Sequence, residues 1–302
     1  MIPSKLINRL LEDERLTLVD VGAAGGLHAR WKPAEERLRL IGFEPLDEIS
    51  DDGAVLSLPW ALGSADGSAE LKVTKRVSMT SLLDPASDLI SRFWDKPEHT
   101  KIVERIPVEK RRLDDLAGEH KFDPDFIKID VQGGEMDVLE GAKRCLGTSI
   151  LAAEIELSFI ERYSGLTKFS DVVTFMEGQG FELFDLWRIK RYRHSNRAGV
   201  VNPGTARGLR AGRLAFCDTL FVRRDDELLR CAEASRATAG KLIAISLIYG
   251  KADLAARLHD VTRDAFDAEL NDGLDRYFKK LSGRQLNPRG LHRALDYFAS
   301  KV

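Results

Sequence analysis

Residues 16–26 read L-T-L-V-D-V-G-A-A-G-G, and the fold turns on them. Leu16, Leu18, Val19 and Val21 make the apolar run of a strand buried in a sheet, and the run passes directly into a glycine turn. Gly22, Gly25 and Gly26 stand where a Cβ would block positive φ or hold a ligand off the backbone. Asp20 falls at the carboxyl end of the strand, where open α/β sheets bind their ligands. Residues 40–44, L-I-G-F-E, give a second apolar strand that ends in Glu44 and is stopped by Pro45. An acid about twenty residues beyond the glycines is placed to grip the two hydroxyls of a ribose.

The spacing Asp20-x-Gly22-x-x-x-Gly26 separates two kinds of nucleoside ligand. Dinucleotide folds use G-x-G-x-x-G, so that amides at a helix start face a pyrophosphate. An acid two residues before the first glycine repels a pyrophosphate and attracts an ammonium. S-adenosylmethionine carries such a group and no phosphate, and Asp20, Gly22, Gly26, Glu44 and Pro45 are its expected contacts. The other reading is a strand–turn–helix junction with no ligand, because short motifs misfire.

At 302 residues the chain has room for one large α/β domain and a smaller piece. Its 43% hydrophobic and 31% charged residues are those of an ordinary soluble globular protein. A net charge of −2 supplies no basic field, so nucleic acid is not an expected partner. Cys145, Cys217 and Cys231 form no C-x-x-C pair, which suits a reducing compartment and offers no zinc site. Residues 1–15 lack the charged-then-apolar order of a secretory signal, and no apolar run approaches about eighteen residues. A cytoplasmic protein without an integral membrane segment is therefore expected.

Further strands are expected at 54–62, 126–131, 150–157, 181–187 and 214–222, with a short hairpin partner at 70–74. Helices are expected at 4–14, from Glu135 to Leu146, and at 170–180. This alternation predicts a mainly parallel sheet with helices on both faces. Residues 78–102 read as a loop with a short helix. Residues 188–213 carry Arg188, Lys190, Arg191, Arg193, Arg197, Arg207, Arg210, Arg213 and His194 but no acid, and Gly199, Pro203, Gly204, Gly208 and Gly212 interrupt them. They read as a long loop. Its arginine forks, with Arg191, Arg193 and His194 foremost, suit a phosphate or carboxylate on the substrate, or else the loop is simply solvated.

After Asp225 the pattern is helical. Leu254, Leu258, Val261, Ala265, Leu270, Leu274, Tyr277 and Leu281 recur at near-heptad spacing, which serves packing or a homodimer. Gly283 and Pro288 break the pattern before a last helix at 291–298. The expected division is a domain at 1–224 and a helical extension at 225–302.

Seven segments follow one another in a familiar order: V-D-V-G-A-A-G-G (19–26), G-F-E-P (42–45), A-L-G (61–63), S-M-T-S-L (78–82), L-D-D-L (113–116), F-I-K-I-D-V-Q-G-G-E-M-D-V-L-E-G-A (126–142) and A-A-E-I-E-L (152–157). Over residues 16–222 the chain resembles the FkbM family of S-adenosylmethionine-dependent methyltransferases. The resemblance implies a class I methyltransferase fold: a mainly parallel seven-stranded sheet with an antiparallel last strand, followed here by the helical extension. It implies O-methylation of sugars or secondary metabolites, as in polysaccharide biosynthesis, and adds Ala23, Ala61, Leu62, Ser81 and Asp130 to the cofactor contacts. The family commonly has Asn at Ala24, and E-G-A-E where Gln132-Gly133-Gly134-Glu135 stands. The second departure removes one carboxylate.

Methyl transfer needs a nucleophile aligned behind the sulfonium methyl. A sugar hydroxyl also needs its proton removed, or a metal to acidify it. Asp130, at a strand end, is the first candidate base; its other role is to cap the turn at 132–135. Glu154, one strand over, could share the substrate or a Mg²⁺ with Asp130, or the two acids are only a hydrogen-bonded pair. Glu135 serves the helix start. His28 is an alternative base, as are His99 and His194. The expected acceptor is a small molecule or glycan, anionic if the arginine-rich segment binds it. Two other functions stay open. An NAD(P)-dependent sugar oxidoreductase lacks its G-x-G-x-x-G, and its Tyr-x-x-x-Lys occurs only at Tyr297 and Lys301. A non-enzymatic methyltransferase-like scaffold would use its C-terminal helices to bind a partner.

Overall fold

The computed structural model describes residues 2–23, 26–200 and 211–285. Ala24, Gly25, Pro203, Gly204, Arg207, Gly208, Arg210, Pro288, Tyr297, Lys301 and the helix expected at 291–298 lie outside the described residues.

Among the described residues eleven strands run in chain order as β1 (Leu16–Val21), β2 (Leu38–Phe43), β3 (Ser50–Asp51), β4 (Val55–Leu58), β5 (Ala61–Leu62), β6 (Gly67–Thr74), β7 (Ile102–Arg111), β8 (Phe126–Ile129), β9 (Ala152–Ser158), β10 (Phe181–Tyr192) and β11 (Arg213–Arg223). The main sheet has the order β10-β11-β9-β8-β1-β2-β4-β3. Leaving aside the two-residue edge β3, seven strands remain, as expected. β1 pairs in parallel with β2 and β8, and β8 with β9. β11 runs antiparallel to both β9 and β10.

Several boundaries differ from expectation: the helix expected at 4–14 ends at Leu10, and the one expected from Glu135 to Leu146 is two, Glu135–Glu140 and Lys143–Thr148. The strand expected at 54–62 is two, β4 and β5, in different sheets, because Pro59 has no N–H to continue a ladder. β5, β6 and β7 form a second, three-stranded sheet in which β7 is central. The basic stretch is less of a loop than its glycines suggested: β10 extends to Tyr192 and β11 begins at Arg213, so Arg188, Lys190 and Arg191 sit on a strand.

Side chains alternate across the sheet and build one core on each face. Leu16, Leu18, Leu40 and Phe126 meet Trp31 and the C-terminal helices on one side. Val19, Val21, Ile41, Ile127, Ile129 and Ile155 meet Leu113, Leu139, Leu146, Val172 and Met176 on the other. Helix Arg236–Ile248 is buried along most of its length, and its Lys241 ammonium is 3.0 Å from Asp125 and 2.9 Å from Glu14.

The near-heptad stripe is used inside the chain. Helix Ala252–Thr262 ends in a 3-10 turn at Arg263–Ala265 before helix Ala268–Gln285, which continues through Gly283. Leu258, Leu270 and Leu274 are buried in the core of their own chain, so the stripe is not available whole to a second copy. Among the described residues no helix is long and apolar enough to cross a membrane.

Candidate cofactor and acceptor site

A cleft of about 740 Å³ opens at the carboxyl ends of β1, β2 and β8. Gly22, Glu44, Pro45, Ala61, Leu62, Ser81 and Asp130 all line it. Gly22 has φ +82°, and its N–H donates to the Phe43 carbonyl at 3.0 Å. A Cβ there would lie 2.3 Å from the Asp130 carbonyl oxygen, so only glycine lets β1 and β8 close under the ligand. Glu44 N donates to Leu58 O at 3.2 Å, which fixes the acid at the mouth, and burial pushes its carboxyl above the usual range.

The opposite wall is set by helix Glu135–Glu140. A Cβ on Gly141 would sit 2.0 Å from the Gly63 carbonyl, so the chain after β5 crosses directly over the end of this helix. Asp137 accepts from Ser64 N at 3.1 Å and from Lys110 Nζ at 2.9 Å. Burial works against its charge, yet these donors hold the Asp137 carboxyl below its ordinary value. Trp60, Leu46, Met136 and Asp137 were not singled out by sequence reasoning. For Met136, Asp137 and Glu140 the available signal was helical spacing directly after the 132–135 turn.

Asp130 accepts from Gln132 Nε2 at 2.7 Å, and the same nitrogen donates to Glu156 Oε1 at 2.9 Å. Ser81 Oγ donates to the Gln132 carbonyl at 2.8 Å and accepts from Leu83 N at 3.0 Å, which pins the 78–82 segment over the turn. Glu135 accepts from Gly133 N at 2.8 Å. Burial pushes the Glu135 carboxyl up to about 7. Burial and the neighbouring Asp130 push Glu156 up to about 7 as well.

These shifts predict a pH dependence of stability. Both folded values exceed the ordinary 4.5, so between the two the folded chain binds more protons than the unfolded one. Their contribution is full below 4.5 and is lost as pH rises through about 7. Glu135→Gln keeps an acceptor for Gly133 and cannot ionise. Its melting temperature should vary less across this window and exceed that of the parent above it. Equal slopes in thermal denaturation would mean that Glu135 ionises at no cost.

Other expected site residues lie elsewhere. Asp20 is 3% exposed and leaves β1 on the face of Leu16 and Leu18, where it accepts from Lys128 Nζ at 2.8 Å. It is not among the residues lining the cleft. Burial raises its carboxyl, with Lys128 opposing the shift. Ala23 N donates to Phe43 O at 3.3 Å and Gly26 N to Ala23 O at 3.1 Å, so both shape the turn without lining the cleft. His28 caps the 3-10 helix Ala29–Arg37, its Nδ1 accepting from Arg30 N at 3.2 Å. Burial and then the Arg30 charge hold the imidazole pKa low.

The Mg²⁺ considered at Asp130 and Glu154 does not fit. Glu154 Oε2 accepts from Arg30 at 2.9 Å and from Tyr249 OH at 2.5 Å, while Asp130 is bonded to Gln132. Among the described residues no group of three or more His, Cys, Asp or Glu is placed to hold a metal ion.

Arg191 donates to the Gly212 carbonyl at 3.0 Å, and Arg193 O accepts from Trp94 N at 2.8 Å. The His194 ring packs 4.9 Å from Phe93. The three therefore lie outside the main cleft. A second cleft of about 550 Å³ is lined by Arg92, Lys168 and Arg213 together with Asp88 and Glu161, and none of the three is among its lining residues. Glu161 already accepts from Gly165 N at 3.0 Å. The ribbons 83–86 and 164–168, joined by Ser164 N to Asp84 O at 2.8 Å, form the wall between the clefts.

The strand order, with β11 inserted antiparallel beside β9, and a cleft beyond β1 and β2 define a class I methyltransferase fold. Residues 20–183, more than half of the chain, match the family model of the Methyltransferase FkbM domain, and the chain belongs to that family. All the lining residues of the main cleft named above fall within the match; the helices after β11 fall outside it.

Among solved structures, a Methyltransferase FkbM from Methylobacillus flagellatus KT is similar at 16% identity and a TM-score of 0.38, covering 69% of this chain and 43% of that one. This chain thus spans less than half of that protein. Magnesium protoporphyrin IX methyltransferase from Synechocystis PCC 6803, with bound SAM, is similar at 10% identity and a TM-score of 0.30, covering 72% and 76% of the two chains. The Burkholderia thailandensis 1,6-didemethyltoxoflavin-N1-methyltransferase, with bound 1,6-didemethyltoxoflavin and S-adenosylhomocysteine, gives 10%, 0.30, 74% and 76% by the same measures. Comparison with curated proteins gave no match.

Proposed function

We propose that this chain transfers the methyl group of S-adenosylmethionine to a hydroxyl of a sugar or related small molecule, in the cytoplasm. One observation supports the reading above others. Glu44, Asp47, Asp130 and Glu140 line the main cleft, Asp137 beside them is paired with Lys110, and no lysine or arginine is among its described lining residues. A field of that sign attracts a sulfonium and an ammonium, and opposes the pyrophosphate that a nicotinamide enzyme must hold. Glu44 takes the ribose hydroxyls, Leu62 and Trp60 flank the adenine, and Gly22 lets the cofactor approach the backbone.

In the transfer the acceptor oxygen forms a bond to the methyl carbon as the carbon–sulfur bond breaks. Asp130 takes the hydroxyl proton and S-adenosylhomocysteine leaves neutral at sulfur. The catalytic unit is 1–224, braced by the helices described between Asp225 and Gln285. The cations of the second cleft serve an anionic part of the acceptor lying beyond the 83–86 ribbon. A Lys168→Ala, Arg213→Ala double variant should raise KM about tenfold or more for a phosphorylated acceptor and leave a neutral one unchanged. The Arg191→Ala, Arg193→Ala pair tests the neighbouring strand in the same way, and equal KM values in both pairs would remove the anionic acceptor.

Thermal-shift measurements with S-adenosylmethionine, S-adenosylhomocysteine and NAD(P)H test the reading itself. Stabilisation by the first two alone is the expected result. Stabilisation by NAD(P)H would overturn it, and no shift with any would favour a non-enzymatic scaffold.

A further inference from the structure

We infer that Gln132 is a positioning residue that aims the Asp130 carboxylate, so that one side-chain amide governs how fast the acceptor loses its proton. The inference rests on Asp130 being the base.

Gln132 holds a left-handed backbone, φ +57°, which a residue with a Cβ adopts only when its surroundings impose it. Gly133 follows at φ +119°, where a Cβ would come within 3.1 Å of Tyr163 and 3.2 Å of Leu83, so the turn has no slack. Both donors of the side-chain amide are used: Nε2 donates to Asp130 at 2.7 Å and to Glu156 at 2.9 Å. Oε1 accepts from the Arg162 guanidinium at 3.3 Å and lies 3.2 Å from Tyr163 OH, whose one proton is shared with the Met79 carbonyl at 3.0 Å. Arg162 can only donate, which fixes which end of the amide is the oxygen.

Arg162 is itself immobile: 1% exposed, 4.1 Å over the Phe216 ring, bonded to Ser158 at 2.9 Å and to Glu156 at 2.8 Å. The orientation of Asp130 is thus tied, through one amide, to a buried arginine. A carboxylate at 132 could not do this. It would face Asp130 and Glu156 as a third negative group and offer neither of them a proton. The turn read as having lost a carboxylate has gained a donor for two others.

The test is a double-mutant cycle with tritiated S-adenosylmethionine and methyl glycosides or nucleoside-diphosphate sugars as acceptor probes. Gln132→Ala should lower kcat about 100-fold, with acceptor KM and S-adenosylhomocysteine affinity within about twofold of the parent. Asp130→Asn combined with Gln132→Ala should be no slower than Asp130→Asn alone. Effects that multiply, or an unchanged kcat, would overturn the inference. Full turnover in Asp130→Asn would instead overturn the role of Asp130. If Gln132→Ala does not fold, Gln132→Met keeps the length without the donors and takes its place. If no probe is methylated, crystal structures of the parent and the variant with S-adenosylhomocysteine decide: the Asp130 carboxylate should rotate once the amide is gone, and an unmoved carboxylate would overturn the inference.

Discussion

Asparagine at position 130 should lower kcat by about 10²–10⁴-fold, the range a positioned base contributes, while S-adenosylhomocysteine binds as it does to the parent. The two halves of that result come from different atoms. The Asp130 backbone forms the floor of the cofactor cleft, where its N–H donates to Val21 O at 3.0 Å and its carbonyl abuts Gly22, and an amide side chain disturbs neither. Asp130 is among the residues lining the cleft, and its side chain carries the oxygens to which the proposed function gives the acceptor's proton. Single-turnover kinetics and calorimetry separate the two. A kcat within a few-fold of the parent would assign proton removal to water or to another group. Weakened S-adenosylhomocysteine binding would instead make Asp130 a cofactor ligand first.

What could be read beforehand followed the range of the interactions. β1, β2, β8 and β9 announce themselves as apolar runs with acids at their ends, and their parallel pairing follows from the helices between them. Gly22, Glu44 and Asp130 lie in short motifs at strand ends and Ser81 in a motif of the 78–102 loop, and the structure brings all four to one cleft. Polar pairing across the sheet was invisible. Asp20 reads as a ligand for an ammonium because nothing local marks Lys128, an isolated cation 108 residues away in an apolar strand, as its partner. Glu154 reads as a partner of Asp130, of the substrate or of a metal because Tyr249, whose hydroxyl it holds, is 95 residues distant, in a region assigned to packing. Gln132 reads as a conservative change in a turn, since Arg162 and Tyr163 converge on it only after β9 is in place. The near-heptad stripe serves packing within the chain, one of the two uses its spacing allowed. The break at Arg263–Ala265 folds it back onto the chain's own sheet.

Alanine at position 22 should abolish detectable cofactor binding and lower the melting temperature, whereas alanine at position 26 should do only the second, and mildly. Both glycines have positive φ, +82° and +71°, so each substitution bears the left-handed penalty of about 1–2 kcal/mol. Only Gly22 adds a collision. Its new Cβ would stand 2.3 Å from the Asp130 carbonyl oxygen and 3.2 Å from its carbon, whereas none of the described residues that could crowd it lies within 4 Å at Gly26. Both colliding atoms are backbone, so no rotamer relieves the contact. β1 and β8 must part at their carboxyl ends, and the Asp130 N–H to Val21 bond weakens with them. Overpacking of this kind costs about 1–3 kcal/mol beyond the strain. At about 2–4 °C per kcal/mol the Gly22 variant should melt several degrees below the Gly26 variant. The comparison holds the backbone penalty constant and varies only the crowding of the cleft floor. Equal melting temperatures would mean the strands yield there freely. Parent-like S-adenosylhomocysteine affinity in the Gly22 variant would mean that the cofactor does not lie against this turn, and the acidic cleft would then need another ligand.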